Sequence, residues 1–438
     1  MIGGHEIPER PIGWGRATAA ASGDFACNLY WQSATLFLLF FYTDVLEIAP
    51  AVAGAIYLAG LVWDGVAGLL IGLAADRLSR GGGARDWVRL GALPLGLAFL
   101  LVYWAPPARG LPLILIVVAA HLAFRTLYAA VNVPYVALLA EVARTSGDRS
   151  RVAGLRMIFG AGAAVLVSVL TVRVTGTSAR GAAGGFLLVA AVFAAVGSLV
   201  LLWISNSGMR RGAGDTPEVP RDRQPVAVRL RLNRAFLSLN LAMIAAVVGT
   251  TMVGKSVLYY YKYQLHDATA AGSALAMMGV VGVLFVPVWM AAAVRWGVRR
   301  QWFASIATAA AALTFFAAHD PRTPLGMGLF LALFQAAVSG FSFGFWAMLP
   351  DAIEYRSSRT ADRQALMFGL AALLQKVGVG VAAALVGLVL TLSGYRANVA
   401  QSESTLLSLR AAMILVPLVA LAASAAAMAF NPLRPRVE

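Results

Sequence analysis

Apolar residues run in long stretches along this chain, broken by short polar connectors rather than flanked by a continuous polar face. Runs bounded by Pro, Gly and Arg give twelve spans, at 20–46, 51–75, 87–105, 111–141, 152–174, 184–204, 235–262, 269–293, 302–319, 324–349, 366–393 and 407–430. Each is close to or above the roughly 20 residues with which a helix crosses bilayer hydrocarbon. The polar, Pro-broken segment 205–234, containing "RRGAGDTPEVPRDRQPVAVRLRLNR", divides the spans six and six. The pattern predicts an all-α membrane protein of twelve transmembrane helices. Residues 1–204 would form an N-terminal six-helix bundle, 205–234 a cytoplasmic linker, and 235–438 a C-terminal six-helix bundle.

Composition agrees. The chain is 60% apolar and 13% charged, with a mean hydropathy of +0.76, whereas a soluble domain carries about 25% charged residues. The polar start "MIGGHEIPERPIGWGR" lacks the apolar core of a cleavable signal peptide, so none is expected. A single cysteine, Cys27, excludes an internal disulfide framework and reads as a small apolar filler.

Basic residues set the orientation. With the N-terminus in the cytoplasm, the inner connections collect Arg77, Arg80, Arg85, Arg89, Arg144, Arg149 and Arg151, then the basic linker, then Arg295, Arg299, Arg300, Arg356, Arg359 and Arg363. The outer connections hold Arg109, Arg180, Arg322 and Arg396. This asymmetry places both termini inside a bacterial-type inner membrane. Arginines facing anionic lipid headgroups account for the net charge of +15. No stretch interleaves basic and aromatic residues as a nucleic-acid surface does, so the expected partners are lipid and a small-molecule substrate.

The polar residues inside the spans carry the chemistry. Asp24, Asn28 and Gln32 recur at i, i+4 and i+8 on the first helix; His121, Arg125, Tyr128 and Asn132 recur at i, i+4, i+7 and i+11 on the fourth. Lipid cannot satisfy such stripes, so they are expected to face a cavity or a neighbouring helix. Of 35 basic residues only Lys255, Lys262 and Lys376 are lysines. Lys262 reads as a snorkelling residue at the outer end of the seventh helix, and Lys255 as reaching the outer vestibule. Asp64 stands alone within "LAGLVWDGVAGLLIGLAAD". An isolated carboxylate is costly to keep ionised in hydrocarbon, so it must find a partner or a proton.

The segments "GDFACNLYWQSATLFLLFFYTDVL", "VWDGVAGLLIGLAADRLSR", "VNVPYVALLAEVARTSGDRSRVAGLR" and "AMLPDAIEY" with "LLQKVGVGVAAALVGLVLTLSGY" resemble, in order, signature segments of the glycoside–pentoside–hexuronide:cation symporters of the major facilitator superfamily. The resemblance runs from the first helix to the eleventh. It implies the major facilitator fold and cation-coupled transport, with a lysophospholipid or other amphiphile as the alternative cargo. It places Asp64 at the first of two family cation-binding carboxylates, the second being Gly68 here. It places Lys376 at a family lysine near the binding site, and Arg156 at a family arginine that meets substrate and carboxylates. Asn28 and Asn132 stand where characterised members have aspartates, and Val136 where they have a tryptophan, which argues against a galactoside contact set.

The expected substrate contacts are therefore Asn28, Gln32, Arg125, Tyr128, Asn132, Arg156, Trp346 and Lys376, with Trp346 offering a stacking face to a sugar. Asp64 and Asn132 would couple transport to a proton, with sodium as the other candidate ion. Asp76, Arg77 and Arg80, in "DRLSRGGGARDW", with Asp351 and Glu354 resemble the charged gate of facilitators. The Gly-rich "GGGAR" lacks the lysine and strand context of a phosphate-binding loop. A membrane enzyme is the competing class, but His5, His121, His266 and His319 lie far apart and no nucleophile–base set or metal motif is present. No cofactor is expected, and the chain should act as a monomer.

Overall fold

The computed structural model describes residues 12–78, 83–143, 145–179, 181–206, 232–355 and 361–433. These are α1 (Trp14–Phe40), α2 (Pro50–Leu78), α3 (Gly83–Val102), α4 (Gly110–Val142), α5 (Ser146–Thr177), α6 (Gly181–Asn206), α7 (Arg234–Tyr259), α8 (Ala270–Leu284), α9 (Val286–Trp296), α10 (Val298–His319), α11 (Pro324–Glu354), α12 (Ala361–Leu392) and α13 (Glu403–Ala429). No strand occurs among the described residues. Ten segments are long and apolar enough to cross a membrane, α8 and α9 together counting as one. Outside these ten are α1, which carries Arg16, Asp24, Asn28 and Gln32, and α3, which starts with Arg85, Asp86 and Arg89.

The eighth span, expected as one helix over 269–293, is two. It breaks at Phe285 because Pro287, in the first turn of α9, has no amide hydrogen to return to the end of α8. The linker expected over 205–234 falls almost wholly outside the described residues.

Helices α1–α6 and α7–α13, the first and second halves of the chain, meet along a seam that follows small residues. α2 packs along α12 and α5 along α8. A Cβ at Gly387 would collide with the Pro50 carbonyl, and one at Gly272 would lie 3.0 Å from the Ser168 carbonyl oxygen. Glycine there allows backbone-to-backbone contact, which lets dispersion forces hold helices together where hydrocarbon offers no hydrophobic gain.

The first helix of each half ends alike. α1 runs into a π-helical turn, Phe41–Val45, and α7 into another, Tyr260–Gln264. Each is followed by a leucine and a left-handed residue, Glu47 at φ 54° and His266 at φ 53°. The closing amides match too: Leu46 N donates to Phe41 O at 3.0 Å, and Leu265 N to Tyr260 O at 3.1 Å. The segments "FYTDVLE" and "YYKYQLH" are thus one structural element used twice, once per half.

We call the end of the bundle where α1 begins and α13 finishes proximal, and the opposite end distal. Several hydrogen bonds join the halves distal to mid-depth. Ala51 N donates to Thr391 Oγ1 at 3.0 Å, and Thr43 Oγ1 meets Tyr259 Oη at 2.7 Å. On α2, a Cβ at Gly65 would collide with Leu373 of α12, whereas one at Gly68 or Gly72 would find no atom within 4 Å. The two halves are joined by direct hydrogen bonds at the distal end.

Candidate functional site

α1 is the spine of a polar core at mid-depth. Its period brings Asp24, Asn28, Trp31, Gln32 and Thr35 to one side, facing α4, α5, α7 and α12 in turn. Proximally, Arg156 of α5 donates from Nε and Nη2 to the two oxygens of Asp24, the second at 3.2 Å, and Tyr135 Oη donates to Oδ2 at 3.3 Å. The guanidinium fork suits this two-point pairing. Asn28 Nδ2 donates to the Asp24 carbonyl at 2.8 Å. Half-buried Gln32 and Asn132 make no hydrogen bond among the described residues, so their amides are available to a ligand.

At the centre, Lys376 Nζ of α12 lies 2.5 Å from Asp64 Oδ2 of α2. The pair spans the two halves. Asp64 is fully buried and neither of its oxygens accepts a well-directed hydrogen bond among the described residues. Among the described residues, Lys376 is its one ion-pair partner. Lys376 keeps 30% of its side chain exposed, and its Nζ also lies 5.8 Å from the Trp31 ring centre.

Trp31 separates this pair from a second, enclosed layer. The guanidinium carbon of Arg125, on α4, lies 5.3 Å from the Trp31 ring centre and 6.0 Å from that of Tyr57, and the residue is wholly buried. Its Nε donates to His121 Nε2 at 3.1 Å, so His121 carries its proton on Nδ1 and directs it to Tyr42 Oη, 3.1 Å away. A Cβ at Gly60 of α2 would collide with His121 Nε2, which explains glycine there. Lys255 of α7 lies 4.0 Å from the Tyr57 ring centre and donates to the Thr35 carbonyl.

The distal closure centres on Asp44. Its Oδ1 accepts from Lys262 Nζ at 2.7 Å and Tyr263 Oη at 2.6 Å, and its Oδ2 from Tyr395 Oη and Thr43 Oγ1, both at 2.8 Å. Lys262 therefore does not snorkel into headgroups: it is held by Asp44 and Asn398.

The structure brings together much of the expected set and rearranges the rest. Asn28, Gln32, Asn132, Arg156, Asp64 and Lys376 lie along the polar core from its proximal side to its centre. Arg125 and Tyr128 are buried behind Trp31, with the Trp31 and Tyr128 ring centres 5.7 Å apart. Lys255 is not in an outer vestibule but is buried at the α1–α7 seam. Trp346 stands apart on α11, 45% exposed and stacked on Phe368 of α12 at 6.4 Å. Of the gate residues, Asp351 is exposed and Glu354 half-buried at the end of α11; the side chains of Asp76 and Arg77, and all of Arg80, lie outside the described residues. Trp31, Tyr57 and Thr35 were not singled out in sequence, although Trp31 falls at i+7 from Asp24 on the same stripe.

The sequence pattern described as MFS/sugar transport protein matches residues 19–434. The chain is 24% identical to the isoprimeverose transporter of Lactiplantibacillus pentosus, over 97% of this chain and 90% of that one. It is 26% identical to the glucuronide carrier protein homolog of Escherichia coli (strain K12), over 93% of this chain and 90% of that one. The crystal structure of the nucleoside transporter NupG superposes with a TM-score of 0.64 at 16% identity, covering 96% of this chain and 100% of the other, which shows the shared fold. The chain belongs to the MFS/sugar transport proteins, as a glycoside–pentoside–hexuronide:cation symporter-type member of the major facilitator superfamily. It is a transporter and an integral membrane protein, not an enzyme.

Proposed function

We propose that the protein is a proton-coupled symporter of a glycoside- or uronide-type sugar in a bacterial inner membrane. It works by alternating access as a monomer, with the proximal end in the cytoplasm. The observation that carries this reading is the Asp64–Lys376 pair: a buried carboxylate whose charge is offset by one lysine from the opposite half. Protonation of Asp64 cancels the charge that holds Lys376, whose Nζ then turns to a substrate oxygen. Deprotonation restores the pair and displaces the substrate. Gly68, one turn from Asp64, supplies no side-chain oxygen, which favours a proton over sodium, a cation that needs several oxygen ligands.

The half-buried Asn28, Gln32 and Asn132 suit sugar hydroxyls because each amide both donates and accepts. Arg156 would read the substrate from the α5 side, and Trp346 would offer a ring face to it. Asp76, Arg77, Arg80, Asp351 and Glu354 would pair across the proximal end when it closes. The isoprimeverose transporter and glucuronide carrier homolog support a sugar-type substrate, and the arginine asymmetry supports the orientation.

Uptake into proteoliposomes tests the reading. A glycoside or glucuronide should accumulate with an imposed pH gradient and show no response to a sodium gradient at fixed pH. Asp64→Asn should abolish accumulation and leave substrate exchange, which needs no net proton release. Sodium-driven uptake at fixed pH, lost in Asp64→Asn, would overturn the proton assignment.

A further inference from the structure

Among the described residues, the cations within or at the margin of the polar core and its distal closure are Arg125, Arg156, Lys255, Lys262 and Lys376. Three are matched by carboxylates, Arg156 by Asp24, Lys262 by Asp44 and Lys376 by Asp64. Arg125 and Lys255 have no acidic partner within ion-pair distance among the described residues. They are also the two most deeply buried of the set, 0% and 4% exposed.

Arg125 is held from one side only. Its Nε bonds His121, while Nη1 and Nη2 are buried without a hydrogen-bond partner among the described residues. The rings of Trp31, Tyr57 and Phe124 lie around it, their centres 5.3, 6.0 and 5.5 Å from the guanidinium carbon. Aromatic faces attract a cation but do not accept its N–H groups as an oxyanion does. Lys255 approaches the same Tyr57 ring from the other half of the molecule. Leaving two cations unmatched and a guanidinium fork unused in a low-dielectric interior carries a large desolvation cost. An anion supplies what both lack: negative charge, and lone pairs for the two free Nη groups.

We propose that Arg125 and Lys255 form an anion subsite behind Trp31, taking a single carboxylate or halide charge. Because α4 and α7 belong to opposite halves, the anion also ties the halves together near mid-depth. This subsite deepens the proposed sugar symport and rests on it only for the source of the anion, which is either the acidic group of a uronide reaching past Trp31 or a free small anion.

The test uses the purified full chain in detergent, with ionic strength held by the bulky HEPES anion. Thermal stability is followed while acetate, chloride, methyl β-D-glucuronide and methyl β-D-glucoside are each titrated. At least one anion should raise the melting temperature saturably. Lys255→Gln and Arg125→Gln should each weaken that anion about tenfold or more, the loss expected for one charge-assisted hydrogen bond, and Arg125→Lys should restore only part of it. Should Arg125→Gln fail to fold, Lys255→Gln carries the comparison. A glucuronide preference over glucoside that both substitutions erase makes the substrate the source; chloride or acetate binding without that preference makes a free anion the source. Failure of all sugar uptake alongside Lys255-dependent chloride binding sinks the sugar reading and keeps the subsite. If no anion stabilises the protein in a Lys255- or Arg125-dependent way, while glucoside still binds, the subsite does not exist.

Discussion

Asp44 and Lys262 meet across the two halves at 2.7 Å, each standing on the π-helical turn that ends the first helix of its half. Asp44 also accepts from Tyr263, Tyr395 and Thr43, so one carboxylate gathers four donors from both halves. A hydrogen bond to a charged group contributes about 1.5–3 kcal/mol, so this cluster is a strong contributor to distal closure. Asp44→Ala should shift the population toward a distally open state. A cysteine at Thr391, in a Cys27→Ser background, should then react several-fold faster with an impermeant maleimide applied from the distal side. An unchanged rate would show that α2–α12 packing alone holds the distal end shut.

The Asp64–Lys376 pair is asymmetric, which sets an order of stabilities. Removing one partner of a buried pair typically costs about 3–5 kcal/mol, because the other charge is left uncompensated. Lys376 keeps 30% of its side chain exposed and Asp64 none. Lys376→Gln should therefore lower the melting temperature more than Asp64→Asn, and adding Asp64→Asn to Lys376→Gln should recover part of the loss. Equal losses in the two single variants would mean that Asp64 has solvent or a further donor beside it.

Arg156 and Asp24 form a two-point contact that a lysine cannot reproduce. Arg156→Lys should keep the charge and the fold but weaken substrate binding about tenfold, measured by equilibrium binding on the purified protein. Tyr135→Phe leaves the guanidinium pair intact and removes a phenol that lies closer to the Ala20 carbonyl, at 3.0 Å, than to Asp24 Oδ2, at 3.3 Å, so it should weaken binding less than Arg156→Lys does. A larger effect of Tyr135→Phe would make the phenol, not the guanidinium, the main positioner of Asp24.

Periodicity made the polar faces of α1 and α4 legible, because a membrane helix cannot scatter such residues into lipid. It could not give depth. His121 and Arg125 share a stripe with Asn132, yet the first two are packed behind Trp31 and the third is half-buried with its amide open to a ligand. Pairing across the halves was equally hidden: a lone Asp64 fitted Arg156 or Lys376, and only the helix packing sends Arg156 to Asp24. Trp31 escaped notice because an aromatic in an apolar run carries no periodic signal of its own. The break at Phe285 had a local cause in Pro287, but a membrane helix often carries proline through, so the sequence alone left one span. The paired π-helical turns have no compositional mark beyond the loose likeness of "FYTDVLE" to "YYKYQLH".

Gly68 is the most informative single position for the coupling ion. The family resemblance sets a second carboxylate there, one turn from Asp64 on the same face of α2. In this chain the residue is glycine, and a Cβ at that point would meet nothing within 4 Å. A side chain can therefore be added without displacing a neighbour, and the backbone there is ordinary helix. Gly68→Asp places a second acid about 6 Å along the helix axis from Asp64, within reach of one shared cation. Two nearby carboxylates resist simultaneous ionisation unless a cation lies between them. Sodium should then bind and stabilise the variant, and uptake in proteoliposomes should respond to a sodium gradient that leaves the unmodified protein unaffected. The proton response should weaken in the same variant. If Gly68→Asp folds, transports and still ignores sodium, the ion is not selected by the number of carboxylates on α2, and the proton assignment of Asp64 loses its main physical support.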